Sequence, residues 1–393
     1  MHYSGRCIAG VGAVCGLACI GIGVLIGYFA RDASVPNKEP ETAYLKSCRG
    51  ECQTQEDQVK SCTIPYPGNY VSYYLHGKTI TIDGKLDDEA WKEVSSTENF
   101  VDIRGLDYPA PRLETRVKLR WDDTNLYVGA YLQEPHVWTT FTEKDTRLYK
   151  NNAFETFFDV DGSMQMYKEF EINALNTTWD LMLTRAYMDG GDFVDWEGIA
   201  DKAVYTDGVV NDPSSKPTFW SLEVVFPFVN LAENTTRHSG PAVDGEVWFM
   251  VLARPQYETE VVNGKYQKVP GSKASWYSWV PVGAVNLHLP SKWGLLEFSK
   301  GQPQKNPTFS FSRWTTYQAL FDIFNAEKTF NAVNAGYVSD LKLLTLPPYI
   351  TSGDCVHTIN VQVNNDQFEV TLRSKTEPRV TAHINNNRTV WFT

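Results

Sequence analysis

Apolar and polar positions alternate with a period of two across most of the chain between residues 73 and 300, and a period near that of a helix surfaces only afterwards. The clearest stretch is Phe154–Leu183. Phe154, Thr156 and Phe158 fall on one side of an extended segment, with Glu155, Phe157 and Asp159 on the other. After an acidic turn, Phe170, Ile172 and Ala174 share one side, and Glu169, Glu171 and Asn173 share its opposite. Successive side chains of a strand point to opposite faces, so the pattern predicts two antiparallel strands with one face in a core. The second face carries carboxylates, an amide and an aromatic, a set that suits a hydroxyl-rich ligand. Similar alternation predicts a strand at Thr79–Asp83 and a hairpin joining Val117–Trp121 to Leu126–Leu132 across Asp122–Asn125. Further strands are expected at Trp220–Phe226, Glu246–Leu252 and Gly294–Phe298, and Asp87 is placed to cap a short helix carrying Ala90 and Trp91. Closely spaced turn signals and few helical patterns predict a mainly β domain over residues 73–300, an antiparallel β-sandwich.

The two ends differ from this middle. After a tail of residues 1–6, Cys7–Ala30 is free of charge and bracketed by Arg6 and Arg31. It exceeds the roughly 20 residues that span a bilayer, and Tyr28-Phe29-Ala30 makes a poor cleavage site, so it reads as a transmembrane signal-anchor. Residues 31–72 are polar and proline-punctuated and read as a stalk with cysteines. Counting Lys and Arg beside the span favours a cytosolic main domain, but long domains translocate largely regardless of flanking charge. Sequons at Asn176, Asn234 and Asn387, and Cys48, Cys52, Cys62 and Cys355, all follow the span. They favour a lumenal or extracellular domain, N-glycosylated and disulfide-bonded, with three cysteine pairings open. Residues 306–393 read as a small α+β unit: Tyr317, Leu320, Phe321, Phe324 and Phe330 approximate a helical stripe ending near Gly336, and two hairpins follow.

A net charge of -11 and a pI of about 5.2 argue against nucleic acid, which wants a basic footprint. The set of 12 Trp, 20 Tyr and 20 Phe reads mostly as core, with one or two rings left as sugar-stacking platforms. The chain has no nucleophile elbow, HExxH, P-loop or GxGxxG on a strand–helix turn, so no catalytic residue is assigned. Asp159-Val160-Asp161-Gly162 has an outline that suits calcium but lacks the further ligands of a calcium loop. It reads as a turn that could take a structural calcium, and no metal ligand is assigned.

Several ordered blocks resemble one family: TITIDGKLDDEAW, VKLRWDDTNLYVGAYLQEP, NNAFETFFDVDGS, KEFEINALNTTWDLML, GVVNDPSSKPTFWSLEVVFPF and NLHLPSKWGLLEF. Over Thr79–Phe298 the chain is similar to family 9 carbohydrate-binding modules and their family-9-like relatives, a fold related to DOMON domains. The resemblance implies a β-sandwich that holds a sugar on a concave face without cleaving it, often in the company of enzymes of polysaccharide breakdown. It places the first sugar-stacking ring at Tyr149, a contacting carboxylate at Glu155 and a contacting amide at Asn173. Two positions depart from the pattern: Glu171 stands where a cation is expected, and the second ring falls at Leu287 and His288. Trp276 or Trp279 is then the source of a second ring, with Trp179 and Trp196 as further aromatics. The carbohydrate-binding set is Tyr149, Glu155, Glu171, Asn173, Trp179 and Trp279. The expected function is a membrane-tethered, non-catalytic glycan binder. The alternative is a cell-surface or secretory-pathway protein-interaction module with a vestigial sugar site.

Overall fold

The computed structural model of the chain describes Cys62, residues 64–375 and residues 377–393. In chain order the strands of the main domain are β1 (Asn69–Tyr74), β2 (Val101–Asp102), β3 (Thr115–Trp121), β4 (Asn125–Gln133), β5 (Phe154–Asp159), β6 (Tyr167–Ile172), β7 (Thr178–Leu183) and β8 (Phe193–Asp195). There follow β9 (Asp201–Thr206), β10 (Phe219–Pro227), β11 (Val247–Gln256), β12 (Thr259–Val262), β13 (Lys265–Lys268), β14 (Ser275–Ser278) and β15 (Gly294–Ser299). Thirteen of them form one hydrogen-bonded sheet in the order β8-β7-β6-β5-β11-β15-β1-β3-β4-β10-β9, with β14 on β11 and β2 on β14.

This corrects the expected antiparallel sandwich. The sheet is continuous and curls until its two halves face each other. Phe158 of β5 and Phe170 of β6 meet Phe226 of β10 at 5.5 and 5.2 Å, although β5 and β10 stand well apart along the sheet. The apolar positions of both halves thus share one core. The seam is β1, which pairs in parallel with both β15 and β3. Its residues Tyr70–Tyr73 are buried on both faces. A strand buried on both sides loses its alternation, and so the segment reads as the end of a stalk in sequence.

Thr79–Asp83, expected as a strand, has no ladder partner. Its amides are taken by side chains instead. Thr81 N donates to Asp88 Oδ2 (2.9 Å), and Asp83 N and Gly84 N donate to Glu223 Oε2 at 2.9 and 2.8 Å. Trp91 Nε1 donates to the other oxygen of Glu223 at 2.8 Å. The fully buried Glu223 carboxylate therefore ties the opening block to β10, more than 100 residues on. Gly84 sits at φ +84, and a Cβ there would come within 2.5 Å of the backbone of β9; glycine alone fits. The short helix is Glu89–Lys92, with Asp88 rather than Asp87 at its N-cap.

The C-terminal unit is a helix, Trp314–Asn334, on a four-stranded antiparallel sheet of β16 (Val356–Asn364), β17 (Gln367–Ser374), β18 (Ala382–Asn385) and β19 (Val390–Phe392). The helix ends on Ala335 at φ 52, one residue before the expected Gly336. Its Tyr317 and Phe321 pack on Phe249 of β11 at 4.9 and 6.2 Å. Phe324 turns to Phe368 of β17.

Cys62 and Cys355 are disulfide-bonded, with Cα atoms 5.0 Å apart and a sequence separation of 293. This settles one of the pairings left open; Cys48 and Cys52 lie outside the described residues, as do the Cys7–Ala30 span and the stalk up to Ser61. Among the described residues no helix is long and apolar enough to cross a membrane. Asn176 and Asn234 are exposed and Asn387 is half-buried. The bridge ties the entry to β1 to the C-terminal unit. Closing so long a loop restrains the unfolded chain, so Cys355→Ser is expected to lower unfolding free energy by about 2–4 kcal/mol. Denaturant titration of the variant beside the parent measures this, and coincident midpoints would refute it.

Candidate functional site

β5, β6 and β7 give one face to the core and the other to a cleft of about 470 Å³. Register builds its floor: Glu155 lies opposite Glu171, Glu171 opposite Trp179, and Phe157 opposite Glu169. The walls come from outside the three strands. Tyr149 stands on the turn Leu148–Lys150 and Tyr187 on the turn Tyr187–Asp189, Phe193 is in β8 and Trp276 in β14, and Leu287 and His288 precede β15. Tyr149 and Trp179 lie side by side, centroids 6.2 Å apart at 30°. The turn under Tyr149 is fixed at both its polar groups, since Tyr149 N donates to Glu171 Oε2 (2.9 Å) and Tyr149 O accepts from Tyr257 Oη (3.2 Å). Tyr187 packs edge-on against His288 at 4.6 Å, opposite.

The floor is crowded with acid. Glu155, Glu169 and Glu171 are 1%, 5% and 0% exposed. Burial, which disfavours the charged form, pushes all three carboxyls up, Glu169 to about 8. The charge of Glu169 adds to the rise of Glu155, and the charges of Glu155 and Glu169 add to that of Glu171. Glu169 Oε2 and Glu171 Oε1 are buried with no hydrogen-bond partner among the described residues. Glu155 Oε1 is buried with no donor among the described residues. Burial holds His288 down at about 4, so it is neutral at pH 7, with Nδ1 3.0 Å from Tyr167 Oη. Arg147, exposed at the rim, is a cation of the lining.

Of the residues singled out in sequence, the fold brings Tyr149, Glu155, Glu171 and Trp179 together in this cleft. Asn173 is elsewhere. It is fully buried in the β6–β7 turn, donating to Thr139 Oγ1 (3.1 Å) and Phe141 O (2.9 Å) and accepting from Leu175 N and Thr177 N. Every valence is occupied by the turn it stabilises. Trp279 lies in the core with Nε1 on Met250 O, against Gly294. Trp196 is likewise buried, its Nε1 on Asn230 O. The second-ring position holds Leu287 and His288, and Trp276 supplies the nearby ring. Sequence reading left out Glu169, Tyr187 and Phe193. Glu169 was legible, since it shares the polar side of its strand with Glu171; Tyr187 and Phe193 arrive through a loop whose path no periodicity gives.

The Asp159–Gly162 turn is held by hydrogen bonds to its own carboxylates. Asp159 accepts from Gly162 N and Met164 N, and Asp161 from Ser163 N and Thr236 N. Among the described residues no group of three His, Cys, Asp or Glu is arranged to hold a metal ion.

Residues 82–236 match the family described as carbohydrate family 9 binding domain-like. No curated protein matches the chain. Among solved structures it resembles a protein from Bacteroides uniformis ATCC 8492 provisionally assigned as carbohydrate-binding. That match has 14% identity and a TM-score of 0.44, and covers 59% of this chain and 100% of that one. It also resembles a family 9 carbohydrate-binding module from Caldicellulosiruptor kristjanssonii solved with cellotriose (14% identity, TM-score 0.35, covering 62% of this chain and 100% of that one). The same module solved with glucose gives 15% identity and a TM-score of 0.35, covering 61% and 100%. Residues 82–236 are what the chain shares with the carbohydrate family 9 binding domain-like family, a likeness over less than half of its length.

Proposed function

We propose that the protein is a non-catalytic glycan binder that seats a sugar in the cleft on the outer face of β5–β7. The observation that carries this reading is the Tyr149–Trp179 ring pair standing over a floor of buried carboxyls. Ring faces pack on sugar C–H groups, while carboxyl oxygens accept hydroxyl protons. The non-catalytic part of the reading is supported by the match to a family described as a binding domain. The further parts of the reading, a tether through Cys7–Ala30 and a lumenal or extracellular domain, draw on the apolar span and the sequons. A glycosidase-sensitive mobility shift lost in Asn176→Gln and Asn234→Gln tests that placement.

The binding test is a panel of oligosaccharides titrated against the full chain. Trp179→Ala and Tyr149→Ala are each expected to weaken the bound glycan by about ten- to a hundredfold, the worth of one lost ring contact. Folded protein silent across the panel would reject the reading and leave the interaction module, to which Leu287 at the second-ring position points.

A further inference from the structure

Resting on the sugar-binding reading, we infer that the ligand is an amino sugar with a free amine, its ammonium seated on Glu155, Glu169 and Glu171 and its ring against Tyr149 and Trp179. The floor asks for donors. It offers three buried carboxyl groups, and among the described residues the protein donor reaching them is one backbone amide, Tyr149 N on Glu171. Glu155 Oε1 is unpartnered and fully out of solvent on the cleft floor. A buried acceptor without a donor costs free energy, which a ligand donor recovers. A neutral sugar hydroxyl brings one donor to the three carboxyl groups. An ammonium brings three donors and no acceptor.

Charge agrees with hydrogen bonding. Glu155, Glu169, Glu171 and Asp192 line the cleft against the exposed Arg147, and His288 is neutral. An ammonium in this place also sits beside two aromatic faces, which attract a desolvated cation. N-acetylation would remove the charge and two of the three donors together. An amine also changes the protonation of the floor. Burial disfavours the charge of all three carboxyls and pushes Glu169 up to about 8, and a cation among them favours the charged form. Binding therefore releases protons, and it tightens as pH rises until the amine itself loses its proton.

The test titrates the full chain with β-1,4-linked glucosamine oligomers and with glucose and N-acetylglucosamine oligomers of the same length. Each is run calorimetrically in two buffers of different ionisation enthalpy. The glucosamine oligomer is expected to bind about tenfold tighter or better, the order one desolvated cation contact supplies. It should release protons as it binds, and Glu155→Gln and Glu171→Gln should remove that preference. Neutral or acetylated oligomers that bind as tightly would overturn the inference and leave the glycan-binder reading standing. No binding of any oligomer to folded protein would overturn both. A preference that survives both Gln variants, or a lysine oligomer bound equally well, would assign the attraction to the acidic surface and overturn the inference alone.

Discussion

Glu169→Gln is expected to stabilise the protein at pH 8 and to leave its stability unchanged at pH 4. The carboxyl is buried, its proton affinity is raised to about 8, and its neighbour Glu171 carries the same burden. The sign follows from linkage. Below the unfolded value of about 4.3 both states hold the proton and the residue is neutral to stability. From there to about pH 8 the unfolded chain has lost the proton while the folded chain keeps it, so folding must take one up. Stability then falls by roughly 1.4 kcal/mol per pH unit for one such group. Above pH 8 the slope ends. Gln has no proton to take up, so the variant lacks this slope. Its advantage should grow through the window to about 2–4 kcal/mol at pH 8, with solvent relaxation around a real carboxyl trimming the full linkage value. Denaturant midpoints at pH 4, 6 and 8 give the comparison. Parallel pH profiles for parent and variant would sink the prediction, as would a parent that is the more stable at pH 8. A gain in stability from removing a buried acid is the pattern expected where a site holds an unfavourable charge for the sake of its ligand.

The strands that alternate were legible because a half-buried strand writes its faces into the sequence. Glu155 and Glu171 face one another across β5 and β6 as the period of two requires. The same reading took the second face as a surface for a hydroxyl-rich ligand, and the period of two says nothing of what covers it. The face is covered by the turns bearing Tyr149 and Tyr187 and by the loop of Leu287 and His288, which come from remote parts of the chain. Asn173 shows the related limit. It shares a strand face with Glu171 in the pattern, but it stands one residue past the end of β6, and its amide closes the turn instead. β1 left no alternation because both of its faces are buried, and the curl of the sheet depends on that strand. The Glu223 network explains why the opening block and the β10 block occur together: the carboxylate of one satisfies the amides of the other.

Arg388→Met is expected to be among the most damaging single substitutions, and its damage should reach the cleft. The side chain sits at the tip between β18 and β19, and its Nε donates to Asp189 Oδ2 at 2.7 Å. Its Nη1 donates to Ser291 Oγ at 3.2 Å, and its guanidinium lies 4.3 Å from the centroid of Phe324. The pair is 5% and 3% exposed. Removing one member of a buried ion pair leaves the other charge unmatched, which costs about 3–5 kcal/mol. Asp189 belongs to the turn that carries Tyr187, and Ser291 follows His288 by three residues in sequence. One C-terminal side chain therefore holds both of the loops that bring Tyr187 and His288 into contact. The unit with no assigned role in sequence acquires one here, as the brace of a cleft wall. A second variant separates bracing from bulk stability. Arg388→Met with Asp189→Leu removes both charges from a buried site, and such exchanges restore most of the lost stability. Neither variant retains the donors that fix the two loops. If Arg388 positions the wall, thermal unfolding should return towards the parent in the double variant while affinity for the bound glycan stays several-fold weaker. Affinity that recovers along with the melting temperature would reduce Arg388 to a purely structural pair, and a single variant that melts with the parent would remove even that role.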